Sequence, residues 1–205
     1  MKVTLIQQTE KPIETIAKIA SICYDSDPKD PMKLVKHLYK NGHHSVFEHI
    51  YFTFKIEGIS RACSHQLVRH RQASFTQRSQ RYCSEDGFGY VVPPKVSSEM
   101  GEASRVYFEA IEQIKQGYKK LTDLGISNED ARFLLPNACE TQLYMSCNLR
   151  ELMHIANERL CSRAQWEIRE LVRQMVDLVD PELKFMLVPK CQSGRIICKE
   201  KCEKI

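Results

Sequence analysis

The segment RHRQASFTQRSQRY, Arg69 to Tyr82, holds four arginines and one histidine but no acidic residue. Cations on a solvated surface are usually interleaved with acids that pair with them. The planar guanidinium of arginine suits phosphate oxygens, and the hydroxyl side chains in the segment are further donors. The segment therefore predicts a site for one or more phosphorylated small molecules. A basic patch that contacts RNA or only solvent is the alternative, and residue types alone leave both open.

A second polar group lies in NLRELMHIANERL, which follows helical periodicity. Arg150, His154 and Asn157 would form a polar wall beside an apolar stripe, with Arg159 at the opposite margin of that stripe. Two glutamates lie in the same segment, so an ordinary amphipathic helix with surface ion pairs is locally the favoured interpretation. Arg132 is a further cation within the apolar run ARFLLP, and it needs a partner, either a protein acid or a ligand phosphate.

Two groups of potential metal ligands are weaker. His43 and His44 are adjacent, so on a strand their side chains would point apart, which disfavours a metal site with His49. The tail CQSGRIICKEKC carries three thiols without a CxxC pair. Free thiols are favoured there, and a zinc site completed from elsewhere is the alternative. We therefore predict no metal. The tail thiols are Cys191, Cys198 and Cys202.

Composition limits the class of protein. A chain of 205 residues with 42% hydrophobic residues can form one large domain with a sizeable core. The net charge of +4 is low for a protein that binds nucleic acid through bulk attraction, and only Phe75 and Tyr82 could stack on bases in the arginine segment. No signal peptide or membrane span is evident. With nine cysteines and no secretory signal, we expect reduced thiols, a cytoplasmic location and neither nucleic acid nor membrane as a partner.

Several segments have the periodicity of strands or helices. KVTLIQQ and HIYFTFKIEGI predict strands, and GYVVPP a short extended piece. Helices are predicted for segments beginning at Pro12, Asp30, Ser60, Val96, Ser127, Asn148 and Arg163. The Ser60 helix would reach about Arg71 and place Gln66 and Arg69 on one face, and the Val96 helix would run to Gly125. The result is an α+β fold with a few strands and mostly helix, in a domain of residues 1–190 followed by the cysteine-bearing tail 191–205.

Motifs for other chemistry are missing from the sequence. It contains no G-x-G-x-x-G, no P-loop and no G-x-S-x-G. Cys63 and His65 lie two apart and would point in different directions on a helix, so no cysteine is a convincing nucleophile. If the protein is an enzyme, we expect it to orient its ligands and to use the chemistry of a cofactor.

In order, the quoted segments resemble the flavin-dependent thymidylate synthases. RHRQASFTQRSQRY resembles their RHR-x-x-S…S-x-R signature, and GHHSVFEHIYFTF resembles the segment before it. ARFLLP, NLRELMHIANERL and AQWEIRE follow in the order and spacing of the family's C-terminal half. The resemblance implies a small, mostly antiparallel sheet with several helices in a single domain, and a homotetramer with active sites shared between subunits. It implies methylation of dUMP to dTMP, with 5,10-methylenetetrahydrofolate as the carbon donor and FAD, reduced by NADPH, as the hydride carrier.

The resemblance also assigns residues. It implies that dUMP is bound by Gln66, Arg69, Gln77, Ser79, Arg81, Arg132 and Arg159, and that Arg159 is catalytic by polarising the uracil. It implies FAD contacts from Ser45, Arg69, His70, Arg71, Gln77, Asn148, Arg150 and His154, and a folate and flavin pocket with His43 and Tyr82. Thr76, Gln77 and His154 depart from residues common in the family, and all three remain polar. Arg78 receives no assignment. An RNA- or DNA-binding module and a structural oligomer with a metal-bound tail are the rival interpretations.

Overall fold

The structure is a computed structural model that describes residues 1–98 and 101–194, with the side chain of Tyr24 left out. The four strands are β1 (Lys2–Gln8), β2 (Tyr51–Ser60), β3 (Ser74–Gln77) and β4 (Glu140–Asn148). The α-helices are α1 (Pro12–Ser21), α2 (Pro31–Lys40), α3 (Arg61–Leu67), α4 (Pro94–Ser98), α5 (Glu102–Asp123), α6 (Asn128–Ala131), α7 (Leu149–Arg159) and α8 (Trp166–Leu178). Short 3-10 helices cover Ile22–Tyr24, Ser45–His49, Arg132–Leu134, Pro181–Met186 and Lys190–Gln192.

The strands form one antiparallel sheet in the order β1-β2-β4-β3. Alternate side chains of the two central strands are buried, because successive residues of a strand point to opposite faces. Phe52, Phe54 and Ile56 of β2 are at most 1% exposed, and Leu143 and Met145 of β4 at most 2%. A small antiparallel sheet with several helices confirms the predicted α+β class.

By proximity the described residues group into two compact units. The first unit comprises Met1–Lys2, Glu57–Gln66 and Thr76–Leu143, and the second comprises Val3–Ile56, Leu67–Phe75 and the chain from Tyr144 onward. Strands β2, β3 and β4 each contribute residues to both units.

The first unit has its own core. Phe88, Ile111 of α5 and Cys139 form a buried cluster, and Tyr107 and Ile114 of the same helix pack against it. Tyr118 of α5 is fully buried, and its hydroxyl links three segments: it accepts from the Glu85 N–H at 3.1 Å and donates to Asn128 Oδ1 at 3.2 Å. These two bonds satisfy polar groups that would otherwise be costly to bury.

The second unit is mostly helical. Helices α1 and α2 both begin with a proline in the first turn, where a missing N–H is harmless. Asn148 caps α7 by accepting from the Glu151 N–H at 2.9 Å. The Gln165 side chain caps α8 by accepting from the N–H groups of Glu167 and Ile168. The buried stripes of α7 and α8 hold these helices, and thus the polar margin of α7, in place.

Several sequence predictions about elements are wrong. Helix α3 ends at Leu67, and the chain continues in turns closed by the bonds His70 N–H to Leu67 O and Ala73 N–H to His70 O. Gln66 and Arg69 therefore do not share a helix face. The helix predicted from Val96 to Gly125 is two helices, α4 and α5. Strands β3 and β4 were not predicted, and the piece GYVVPP forms only one isolated bridge, from Tyr90 to Cys139.

The seven described cysteines are free thiols. Burial raises the pKa of Cys139 to about 11 and that of Cys147 to about 12. Cys63 is also fully buried, whereas Cys23 and Cys191 are exposed. Within the described residues, no helix combines the length and the apolar character needed to cross a lipid bilayer.

Candidate active site

The second unit contains a cavity of about 560 Å³ beside the polar margin of α7. Residues from α7, its cap and the loop before β2 line it, among them Asn148, Arg150, Glu151, His154, His44 and Glu48. A volume of this size is typical of small-molecule sites. The walls are mostly polar, so the cavity suits a ligand with several hydrogen-bonding groups.

Arg150 is paired with Glu48 across this cavity's lining, through Nη1 and Oε1. Both side chains are about half exposed, at 55% and 46%. A solvent-exposed ion pair of this kind contributes about 0–1 kcal/mol to stability. A ligand phosphate can therefore replace Glu48 as the partner of Arg150 with little loss of free energy. The arginine thus has a protein partner that a ligand can replace.

Arg159, the last residue of α7, donates from Nε to His70 Nε2 at 3.0 Å. On the other side of the same imidazole, His70 Nδ1 lies 3.6 Å from Glu151 Oε1. The His154 ring meets the edge of the His70 ring with centroids 5.6 Å apart. His70 therefore forms one cluster with three side chains of α7, and we call these four residues the Arg159 cluster: His70, Glu151, His154 and Arg159.

Burial is the main cause of the pKa shifts of His70 and Glu151. It lowers the pKa of His70 to about 4, with further lowering by the nearby charges of Arg159 and His154. Burial also raises the pKa of Glu151, which His154 partly opposes. His70 is consequently neutral at physiological pH, so one of its ring nitrogens is free to accept from Arg159.

In the first unit, two predicted nucleotide residues contact Glu129, and a third, Ser79, contacts one of these two. Arg81 Nε pairs with Glu129 Oε2 at 2.9 Å, and Arg132 Nε donates to the Glu129 carbonyl at 3.1 Å. The Arg81 guanidinium also stacks over the Tyr82 ring, 5.2 Å from the ring centroid. The backbone N–H of Arg81 donates to Ser79 Oγ at 3.2 Å. Two cations and a hydroxyl within one small region can bind a phosphate monoester.

Gln77 lies deeper in the first unit. Its Nε2 donates to Ser64 Oγ at 3.0 Å and to Thr141 Oγ1 at 3.1 Å. These two bonds use both amide protons, so a ligand contact from this side chain would have to come from the carbonyl oxygen. The predicted roles of Gln77 toward dUMP and FAD remain predictions.

Arg78 has an internal role. Its Nη1 pairs with Oε1 of Glu85, which is 6% exposed, and its Nη2 donates to the Ser84 carbonyl at 3.0 Å. The cations of the arginine segment therefore do not depend only on ligand phosphates for their countercharges, because Arg78 and Arg81 both pair with acids of this chain. Sequence spacing gave no signal for Glu48, Glu129 or Glu151 as partners of predicted site residues, since each lies far along the chain from its cation or imidazole.

The structure separates the predicted residues into two sets. In the second unit lie His43, Ser45, Arg69, His70, Arg71, Asn148, Arg150, His154 and Arg159. In the first unit lie Gln66, Gln77, Ser79, Arg81, Tyr82 and Arg132. Apart from Arg159, the residues predicted to contact only dUMP fall in the first unit. Apart from Gln77, those predicted for FAD fall in the second, including Arg69, which was predicted for both ligands. The side chains of His43, Ser45, Arg69 and Arg71 are exposed and accessible to a ligand.

Among residues 1–98 and 101–194, no three His, Cys, Asp or Glu side chains are grouped as metal ligands. Cys191 is exposed, and Cys198 and Cys202 lie outside the described residues. The suggestion of a zinc-bound tail therefore stays an untested alternative.

Comparison with known proteins identifies the family. The family described as thymidylate synthase complementing protein matches residues 4–183. A flavin-dependent thymidylate synthase of Geobacter sulfurreducens is 46% identical over 210 residues, covering 95% of this chain and 90% of the relative. That of Clostridium tetani is 37% identical over 223 residues, covering 95% and 89%. The chain belongs to the flavin-dependent thymidylate synthase family.

Solved structures agree with this family assignment. Thymidylate synthase X of Helicobacter pylori, determined with FAD and dUMP, has a TM-score of 0.74 at 22% identity, covering 91% of this chain and 97% of that one. At that identity it establishes the shared fold only. The UMP/dUMP methylase PolB of Streptomyces cacaoi, bound with 5-Br dUMP, has a TM-score of 0.75 at 25% identity, covering 86% and 88%. The fold that the family resemblance implies is thus confirmed.

Proposed function

We propose that this protein is a flavin-dependent thymidylate synthase that converts dUMP to dTMP with 5,10-methylenetetrahydrofolate as the carbon donor. The observation that carries the proposal is the family match over residues 4–183, which spans every predicted site residue from His43 to Arg159. The Arg159 cluster supports it, because Glu151 and His154 line the polar cavity and Arg159 adds a permanently charged guanidinium to the same cluster.

The second unit has the donors that FAD requires. Arg150, released from Glu48, presents a guanidinium to a diphosphate, and Arg69 and Arg71 are exposed cations on the neighbouring turn. We propose that Ser45, Asn148, His70 and His154 complete the contacts, and that His43 and Tyr82 border the folate. When bound, FAD would supply the hydride that completes the new methyl group.

Arg159 has the properties needed to activate the uracil. Carbon C5 of dUMP must become electron-rich before it can attack the methylene carbon of the folate. A guanidinium at N3 and the neighbouring carbonyl oxygen stabilises the negative charge that develops on the ring. Arginine remains protonated throughout and binds a planar edge at two points. The neutral state of His70 keeps a second positive charge away from Arg159.

The dUMP phosphate and sugar are assigned to the first-unit set. Arg81 and Arg132 converge on Glu129, and Ser79 lies beside Arg81. A phosphate monoester offers more acceptor oxygens than one exposed carboxylate, so it can displace Glu129 from Arg81. Gln66 and Gln77 would contribute amide contacts to the same nucleotide.

Three further parts of the proposal concern the reductant, the assembly and the location. NADPH would reduce the flavin, and a homotetramer with active sites shared between subunits would be the working form. The side chain of Phe133, directly after Arg132, is 83% exposed, and a partner subunit would cover it. Light scattering should then give about four times the chain mass of 23.8 kDa.

The free thiols of the described cysteines accord with a reducing, cytoplasmic location.

The primary experiment is turnover with defined substrates. Purified protein loaded with FAD and reduced by NADPH should reoxidise its flavin when dUMP and methylenetetrahydrofolate are both present, with dTMP as product. UMP in place of dUMP is the specificity control, since one structural relative is named as a UMP/dUMP methylase. A colourless protein that ignores FAD and binds RNA with a steep salt dependence would overturn the proposal.

Arg159 variants test the assigned role. Arg159→Ala should retain the flavin and lose most turnover, by a factor on the order of 10²–10³, as for other donors that stabilise developing charge. Arg159→Lys keeps the charge without the planar fork and should be intermediate. Wild-type turnover in Arg159→Ala would show that this arginine does not polarise the uracil.

A further inference from the structure

The proposed function assigns no role to the buried carboxyl of Glu151. It is 5% exposed, and within the described residues its Oε1 has no hydrogen-bond partner. A buried polar oxygen without a partner is costly unless a nearby group can use it. Glu151 lies in the first turn of α7, where its own N–H is held by the Asn148 cap. This bond holds the backbone from which the carboxyl reaches toward His70.

The bond from Arg159 identifies the tautomer that His70 has in this structure. A guanidinium nitrogen can only donate, so His70 Nε2 must accept the 3.0 Å bond from Arg159 Nε. The proton of the neutral imidazole is then on Nδ1. His70 is 6% exposed, so this Nδ1–H needs an acceptor inside the protein. Glu151 Oε1, at 3.6 Å, lies within a small adjustment of hydrogen-bonding distance.

We propose that Glu151 is a positioning residue for Arg159 and acts through His70. Accepting from Nδ1–H, the Glu151 carboxyl selects the tautomer that leaves Nε2 able to accept, and the imidazole then fixes the direction of the Arg159 guanidinium. The same logic orients histidines that must present one nitrogen to a reacting group or a metal. The inference rests on the proposed function, because Arg159 is the residue assigned to the uracil.

Paired substitutions separate positioning from space filling. Glu151→Gln retains a carbonyl oxygen that can accept from Nδ1–H, whereas Glu151→Leu retains the volume and removes the acceptor. With FAD content at the wild-type level, kcat should fall roughly tenfold in Glu151→Leu and by less than about twofold in Glu151→Gln. A merely structural carboxyl would give the opposite order, since leucine suits an apolar interior better. Glu170→Gln on α8, an exposed carboxylate paired with Arg173 at 2.6 Å, is the matched control and should keep wild-type kcat.

A second pair of measurements tests the route through His70. In a His70→Ala background the Glu151→Leu change should have no further effect on kcat, so the two losses should not multiply. Nitrogen-15 NMR of histidine-labelled holoenzyme should show His70 protonated at Nδ1 in the wild type, assigned by its loss in His70→Ala, with less of that tautomer in Glu151→Leu.

The outcomes are distinguishable. A wild-type protein without dUMP-dependent turnover refutes the proposed function, and the His70 tautomer then decides the inference alone. Turnover in the wild type with equal kcat in Glu151→Leu, multiplicative losses in the double variant, or an Nε2-protonated His70 would each overturn the role of Glu151.

Discussion

Replacing Arg78 with leucine should destabilise the fold without abolishing the reaction. The substitution removes both the partner of the Glu85 carboxylate and the bond to the Ser84 carbonyl. Breaking a fully buried ion pair by removing one partner costs about 3–5 kcal/mol. The Arg78 side chain is 31% exposed, so water screens the pair, and we expect a loss of about 2 kcal/mol. For a chain of this length that corresponds to a drop in Tm of roughly 4–8 °C.

The loss should depend on pH in a defined direction. Burial raises the pKa of Glu85, and the charge and hydrogen bond of Arg78 oppose that rise. A carboxyl with a raised folded pKa binds its proton more tightly in the folded state, so the free energy of unfolding falls as pH rises through the interval between the unfolded and folded pKa values. Without Arg78 the folded pKa of Glu85 rises further and this interval widens. The difference in Tm between variant and wild type should therefore be larger at pH 8 than at pH 5.

Thermal unfolding followed by circular dichroism, at both pH values, measures these effects. The double variant Arg78→Leu/Glu85→Leu should recover most of the stability, because it leaves no unpaired buried charge. Arg105→Leu is the control: this exposed arginine of α5 has acid neighbours at 3.6 Å, and its loss should change the free energy of unfolding by less than about 0.5 kcal/mol. A wild-type Tm combined with lost dUMP binding in Arg78→Leu would refute the reasoning and make Arg78 a ligand residue.

Three other substitutions have defined outcomes. Glu48→Gln frees Arg150 and should strengthen FAD binding by no more than about fivefold in a flavin titration, because the exposed pair is worth about 0–1 kcal/mol; a weakened affinity would show that the carboxylate itself holds the cofactor. Gly58→Ala should lower the free energy of unfolding by about 1–3 kcal/mol in a denaturant titration. The φ angle of Gly58 is +67°, and the added Cβ would lie 3.2 Å from the backbone nitrogen of Met1. Unchanged stability would show that alanine is not strained at this position. Tyr118→Phe should cost about 1–3 kcal/mol by the same measurement, because the Glu85 N–H loses its buried acceptor; no loss would mean that water replaces the hydroxyl.

The sequence predicts the elements whose periodicity is strong and whose ends are marked. Strand β2 is rich in aromatic and β-branched residues, and α1 and α2 begin at prolines, so each was recognisable. Strand β4 was missed although its buried residues alternate, because ETQLYMSCN mixes polar side chains into a run without a turn signal at its end. The strand passes directly into α7 through Asn148, which serves as both its last residue and the helix cap.

The candidate site could be found from sequence only as far as the family signature extends. The segments that resemble the family predict His70 and Arg159 as ligand residues, but they could not reveal that the two side chains bond to each other across 89 positions of sequence. Ion pairs such as Arg150 with Glu48 depend on tertiary packing, and no local spacing predicts them. The absence of acids near the arginines in sequence therefore did not mean an absence of acids near them in space.

The described free thiols differ in exposure, so alkylation of a buried cysteine reports that its part of the fold has opened. At neutral pH the raised pKa values of Cys139 and Cys147 leave almost no thiolate, and burial also blocks access by reagents. A brief pulse of an alkylating reagent should mark Cys23 while sparing these two, and peptide mass spectrometry would then report local opening of the strand that carries Cys147. Modification of Cys147 would show that the end of β4, directly before α7 and its residues of the Arg159 cluster, was exposed during the pulse. The measurement needs no probe group attached to the protein beforehand.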